Sequence, residues 1–311
     1  PMRRRFWFAG MAAAAAAAVI GGQHFITHTG PVLGPFEIPL SIFSLPFTIA
    51  FVGAIALGFR TIDRADGLCD GQALISSLAL TIVAIILASQ QATAWPLPGF
   101  AAVAQSLIGA LLGLAFYTWR RPGRRLAAIY LGSAGAMMLG LLLGWLALQV
   151  HAGFGEAGIG LGGVLWLFAV PLADLLFYGL RRLLAGQNWT AKDRFRLYHM
   201  LRAQHYSVDH AVLICHGTAV GAAVIGIAGW ALGVPDFFLF YGFWVAFAAY
   251  AMIAMAFWTR LASQVTPRAN WQTAAGQTID VEAHTVMGSF SDDEPNPYKP
   301  QTASSATSKA K

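Results

Sequence analysis

Charge is what this sequence lacks first. Of its 311 residues only 11% are charged, while 57% are hydrophobic. A soluble domain carries about 25% charged residues, so an ordinary water-soluble domain is excluded. A chain this apolar, in long runs, reads as a polytopic membrane protein. Cysteine is nearly absent too: Cys69 and Cys215 are the two in the chain, which excludes a disulfide framework. The apolar runs lack the alternation of barrel strands. Helices remain as the elements that satisfy their own backbone groups in lipid. No internal repeat is visible.

What is there is a series of eight apolar segments, at 6–25, 40–59, 72–92, 99–119, 127–149, 159–180, 208–231 and 236–259. Each is close to the roughly 20 residues that cross a bilayer core. The expected fold is therefore an all-α polytopic bundle of these eight transmembrane helices. The first run follows Arg3, Arg4 and Arg5, as in a signal peptide, but continues without a clear cleavage site and reads as a span. Pro1 precedes Met2, so either Met2 is the initiator or the chain is cut from a longer one. The Gly- and Pro-rich connection at 28–39 reads as an irregular loop.

The 20 Lys and Arg residues fall at 3–5, 60, 64, 120–125, 181–202 and from 260 onward. With eight spans and the N-terminus inside, all of them lie on one side. The opposite connections hold Glu37, Glu156 and Asp236 and no Lys or Arg. The positive-inside rule then places both termini in the cytoplasm. Topology accounts for the net charge of +6, and nucleic acid is not an expected partner. After Arg260 the composition turns to Ser, Thr, Ala and Pro without apolar periodicity. The expected organisation is a transmembrane domain over 1–260 and a disordered polar cytoplasmic tail over 261–311.

Three cytoplasmic segments carry unusual residues. In RTIDRADGLCDG (60–71), Asp63, Asp66 and Asp70 are spaced i, i+3, i+7, so a helix would place them on one face. Three carboxylates at a membrane surface invite a divalent cation or polar ligand groups. Spacing alone slightly favours a blander reading, a solvated helix end with Arg60 and Arg64 as counter-charges. In 120–140, Arg120, Arg121, Arg124 and Arg125 surround Pro122 and Gly123, and Gly132-Ser133-Ala134-Gly135 opens the next span. Small residues there can bring N–H groups to an anion, but more often they let membrane helices pack closely.

The third segment, 181–202, holds Arg181, Arg182, Lys192, Arg194, Arg196 and Arg202, with Asp193 and His199 among them. If 192–202 is helical, Arg196 and His199 share a face, and the donor fork of Arg suits phosphate. Asp174 reads as the one ionisable group in mid-span, where it is costly. Pro171 before it frees a backbone carbonyl. Carboxylates, Arg and His gathered on one face suit an anionic ligand arriving from the cytoplasm.

Four of these blocks resemble, in order and spacing, the polyprenyl-phosphate N-acetylhexosamine-1-phosphate transferases (glycosyltransferase family 4). The stretch 34–75, which contains RTIDRADGLCDG, looks like the family stretch ending in NxxNxxDGxDGLAxG. IYLGSAGAMMLG (129–140) looks like FxGDxGSxxLG. VPLADLLFYGLRRLLAG (170–186) is similar to the P-x-x-D segment, and KDRFRLYHMLRAQHYS (192–207) to DRxHxHHxLxxxG. The likeness covers roughly 22–214 and implies that the family's N-terminal spans lie outside this chain.

The resemblance implies a multi-pass protein of the bacterial inner membrane. Such enzymes move sugar-1-phosphate from a UDP-sugar such as UDP-GlcNAc to undecaprenyl phosphate, using Mg²⁺, and start envelope polysaccharides such as lipopolysaccharide. It implies that Asp63 and Asp66, which keep the aspartates of DGxDG, contact the nucleotide sugar, with His199 as the third catalytic candidate. Arg60, Asp193, Arg194 and Arg196 are the implied substrate-binding residues. The implied partners are the lipid membrane, undecaprenyl phosphate, a UDP-N-acetylhexosamine and a second copy of the chain in a homodimer.

The departures from the pattern weigh against full activity. Ser133 stands where the family has its metal-linked Asp, and Ala136 replaces a Ser. Arg60 replaces an Asn, Arg64 a Gly, and Arg196 and Tyr198 two His. The paired-Asp motif found upstream in the family is missing, so no metal site is intact, and Mg²⁺ is an expectation from the resemblance over a degraded site. Phosphoryl transfer rests on positioning and on a cation that neutralises developing charge, so impaired transfer is expected. Arg196 offers positive charge directly. The alternative is a non-catalytic lipid-phosphate-binding or scaffold protein in an envelope polysaccharide assembly. A small-solute transporter fits least, because the charges cluster on one face.

Overall fold

A computed structural model describes residues 4–22, 24–28, 39–63, 65–90, 97–120, 127–152, 158–184, 197–204 and 206–265. Among these residues the helices are α1 (Arg4–Gly22), α2 (Ser44–Ile62), α3 (Leu68–Gln90), α4 (Leu97–Thr118), α5 (Gly132–Ala152), α6 (Leu161–Leu167), α7 (Ala169–Leu184), α8 (Leu197–Ala203), α9 (Val208–Ala231) and α10 (Asp236–Val265). No strand occurs among the described residues; one isolated bridge joins His28 and Pro39. The all-α membrane bundle expected from composition is the fold. The chain divides into two units, Pro1–Ala254 and Met255–Lys311, and the first holds the site described below. The expected tail lies outside the described residues from 266 onward.

Of the roughly eight spans expected, the described residues show six or seven. Among the described residues six helices are long and apolar enough to cross a membrane: Ser41–Ile62, Leu68–Gln90, Gly99–Thr118, Gly132–Ala152, Val208–Ala231 and Asp236–Phe257. The segment at 159–180 is a broken pair, α6 and α7, bent by 91°, and taken together they make a seventh. The apolar part of α1, Gly10–Gly22, is shorter than a span.

The break has a local cause. Pro171 has no N–H to give to the carbonyl of Leu167 four residues back. That freed oxygen accepts instead from Ser76 Oγ of α3 at 3.0 Å. A hydroxyl on a neighbouring helix thus satisfies the group that the proline orphans.

The core forms around α2. Val52, Ile55, Ala56, Phe59 and Ile62 are buried on one helical stripe. α5 meets that stripe through glycine. A Cβ on Gly140 would stand 2.6 Å from Ala56 Cα, and one on Gly144 would stand 3.1 Å from Val52 Cγ1. With buried Ala136, these positions make a small-xxx-small ladder that lets two backbones approach without a hydrophobic driving force. On α9, the carbonyl of Cys215 accepts from Gln72 Nε2 of α3 at 2.9 Å. α10 is held near its start, where Leu239 O accepts from Trp166 Nε1 at 2.8 Å. Farther along, Val245, Met252 and Ile253 are exposed, as suits a face toward lipid.

Candidate functional site

α2 ends at Ile62 and α3 begins at Leu68. Gly67, at φ 76°, makes the turn between them. A left-handed residue costs glycine little, and here there is no room for more: a Cβ would stand 2.7 Å from Trp119 Cδ1. The three aspartates therefore lie across a turn and the start of α3, not on one helical face. Asp63 follows α2, Asp66 sits in the turn, and Asp70 is in the first turn of α3.

Their side chains nonetheless converge on residues 118–120 and 127–130. Asp70, 3% exposed, accepts through Oδ2 from Thr118 Oγ1 at 2.5 Å and from Trp119 Nε1 at 3.0 Å. Asp66 Oδ2 accepts from Arg120 Nε at 3.0 Å and from the Ala127 N–H at 3.2 Å. The Tyr130 hydroxyl lies 3.0 Å from Asp63 Oδ2 and 3.0 Å from the Asp63 carbonyl oxygen, and gives its one proton to either. A buried carboxylate is tolerated when donors satisfy it, and this segment supplies them. Asp66 forms an ion pair with Arg120, 54 residues away in sequence.

α9 braces the same corner. His216 stacks on Trp119, with ring centroids 6.1 Å apart and planes at 29°. Its Nε2 is 3.4 Å from the Leu68 carbonyl oxygen. A Cβ on Gly71 would overlap its ring. His216 lies within the α9 span, so Asp174 is not the one ionisable group in mid-span.

The remaining expected residues divide into three groups. His199 is on α8 and lines a crevice of about 10 Å³ with Thr61, Ile62, Leu68, Asp174 and Cys215, room for about one water. Thr61 and Ile62 immediately precede Asp63, so α8 and the aspartate turn share a neighbourhood. The carboxylate of Asp174, buried on α7, accepts from the Leu197 N–H at 3.3 Å and so holds the start of α8. Arg60 is in the last turn of α2, half-buried. Ser133 is exposed in the first turn of α5, after Gly132 at φ 77°. Asp193, Arg194 and Arg196 lie outside the described residues, as does Arg64.

The family model described as Glycosyl transferase family 4 matches residues 1–151, the part that contains the aspartate turn and its clasp. Similar proteins include the undecaprenyl-phosphate alpha-N-acetylglucosaminyl 1-phosphate transferase of Yersinia pestis, 27% identical over 235 residues, which are 75% of this chain and 62% of that protein. The protein of the same name from Escherichia coli K12 is 27% identical over 241 residues, 77% of this chain and 63% of that one. That from Salmonella typhi is 29% identical over 230 residues, 74% and 60%. Over residues 1–151 the chain is similar to glycosyl transferase family 4. It spans less than two-thirds of the length of each of these relatives.

The resemblance to glycosyl transferase family 4 raises the expectation of Mg²⁺. Its described residues do not fit that ion. Mg²⁺ takes oxygen ligands in tight octahedral geometry, commonly through one or two carboxylates. Here Asp66 already faces a guanidinium, Asp63 a hydroxyl, and Asp70 a hydroxyl and an indole N–H. At the family's metal-linked position Ser133 carries no charge. Among the described residues no three His, Cys, Asp or Glu side chains come together as a set that could hold a metal ion.

Sequence reasoning missed Thr118, Trp119, Arg120, Tyr130 and His216. Arg120 was visible as part of a basic loop, and topology absorbed it. Tyr130 stood inside a block noted for its glycines. His216 carried a usable signal, an ionisable ring in an apolar run.

Proposed function

We propose that this chain is a membrane phospho-sugar transferase-like protein whose transfer step is impaired. It binds a UDP-N-acetylhexosamine and undecaprenyl phosphate where the aspartate turn, the 118–130 segment and α8 meet. In the transfer itself an oxygen of the acceptor phosphate bonds to the donor's β-phosphorus. The bond from that phosphorus to the bridging oxygen breaks, and UMP leaves. Asp63 and Asp66 contact the nucleotide sugar in this reading, and Arg60, Asp193, Arg194, Arg196 and His199 serve its polar groups and the phosphates. The setting is the bacterial inner membrane, at the start of an envelope polysaccharide, with a homodimer as the assembly.

The observation that carries the impaired reading is the state of the carboxylates. At the two positions where the family keeps DGxDG, the side chains are held by Tyr130 and Arg120, and the family's third acidic position is Ser133. Phosphoryl transfer needs a cation placed against the phosphates, and these residues leave few hard oxygen ligands to place one.

The test is UMP release from UDP-GlcNAc by the purified chain in membranes containing undecaprenyl phosphate and Mg²⁺. Turnover at the level of background, with retained binding of the lipid phosphate, is the expected result. Robust metal-dependent turnover by this chain alone overturns the impaired reading. Lipid-phosphate binding together with co-purifying glycosyltransferases would move the protein to the scaffold reading.

A further inference from the structure

The aspartate cluster poses a charge problem that the chain solves by itself. Three carboxylates stand within one turn of chain, two of them nearly buried: Asp63 is 5% and Asp70 3% exposed. Such groups need counter-charge or donors. In a metal-dependent site a dication supplies the charge. Here Thr118, Trp119, Arg120, the Ala127 N–H and Tyr130 donate to the three carboxylates. One of them, Arg120, carries a full positive charge and makes an ion pair with Asp66 at 3.0 Å.

We infer that Arg120 is the resident cation of this cluster and that, with it in place, the cluster takes no divalent ion. Arg120 holds Asp66 through Oδ2, so a metal bound at the carboxylate would either displace the guanidinium or sit as a like charge beside it. At Oδ2 it would also have to replace the Ala127 N–H. Arg suits this role because its guanidinium stays protonated and its weak hydration lets it sit against a carboxylate partly withdrawn from water. The side chains are 26% and 14% exposed for Arg120 and Asp66, so the pair is half-buried. A hydrated metal ion in solvent would compete against a pair that is already formed, with its oxygen fixed from a second side.

Metal binding by the full chain in zwitterionic nanodiscs tests this, with Mn²⁺ as a paramagnetic stand-in for Mg²⁺ and the free-ion resonance as the readout. Wild-type chain is expected to leave the free Mn²⁺ signal where Asp66→Asn chain leaves it. Arg120→Gln is expected to gain affinity by about tenfold or more, because a neighbouring unit charge is gone. Adding Asp66→Asn to that variant removes the gain. Arg120→Met, which keeps the aliphatic stem, is the second variant should Arg120→Gln not fold. Saturable Mn²⁺ uptake by wild-type chain that Asp66→Asn abolishes overturns the inference. So does a folded Arg120 variant that gains nothing. The titration contains no sugar donor and no lipid acceptor, so its outcome is separate from that of the transferase reading.

Discussion

Two carboxylate sites stand at the two ends of α5, and they are built in opposite ways. Tyr130, which holds Asp63, comes just before α5. At the far end the Ile159 N–H bonds the Val150 carbonyl at 3.2 Å, and the following residues hold Asp236. α5 has 21 residues, so its ends are about 31 Å apart. Asp236 accepts from two backbone N–H groups in the first turn of α6, Gly162 at 3.0 Å and Gly163 at 3.1 Å. Asp63, Asp66 and Asp70 are held mainly by side chains. A backbone clamp has no rotamers to change. A side-chain clamp can re-form around another partner. The charge map follows the same division, with Lys and Arg on the Asp63 side and none in the connections on the Asp236 side. The Asp236 end is architecture, and the Asp63 end is where the proposed function puts ligand chemistry.

The sharpest way to break that division is at Gly162. A Cβ there would stand 2.6 Å from the Asp236 carbonyl oxygen and 2.7 Å from the Phe240 nitrogen. Both neighbours are backbone atoms and cannot swing aside. Gly162→Val is therefore expected to cost about 3 kcal/mol or more, seen as a large fall in melting temperature in detergent. An unchanged melting temperature would show that the α6–α10 end yields, and the contrast with the aspartate turn would be lost.

Asp236→Ala comes next. It leaves two N–H groups of α6 without their acceptor, at an expected cost of about 2 kcal/mol. Asp236→Asn keeps an acceptor oxygen and is expected to lose less. Equal losses for the two variants, read by the same melting experiment, would mean that charge rather than hydrogen bonding holds this end.

Much of the fold was legible in sequence, because lipid leaves few alternatives. Length and apolarity alone located six helices that are long enough to cross. What they could not show was the break at Phe168, since hydropathy is blind to it. The sign was Pro171, and its consequence depended on Ser76 sitting 91 residues away in sequence to accept the task of satisfying Leu167. The site was legible in type but not in partnership. Asp63 and Asp66 stood out by motif, and His199 by its place in a basic loop. Their partners did not, because Arg120 and Tyr130 are 54 and 67 residues distant, and nothing in local spacing announces a contact made by the fold. The helical-face argument for the three aspartates failed for a related reason. It assumed one helix, whereas Gly67 at φ 76° ends one and starts another.

The smallest expected effect gives the finest test of the comparison. The Asp66–Arg120 pair is half-buried, and ion pairs with that much solvent contribute about 1 kcal/mol or less. A double-mutant cycle with Asp66→Asn and Arg120→Gln isolates their coupling from the rest of the clasp. A coupling near that value, shrinking as salt is raised, fits a side-chain clamp whose task is to set the charge of a site. A coupling as large as the loss on Asp236→Ala, and indifferent to salt, would fit a second structural clamp. Asp66 and Arg120 would then join Asp236 as architecture, and ligand chemistry at this end would have to be sought at Asp63 and around His199 instead.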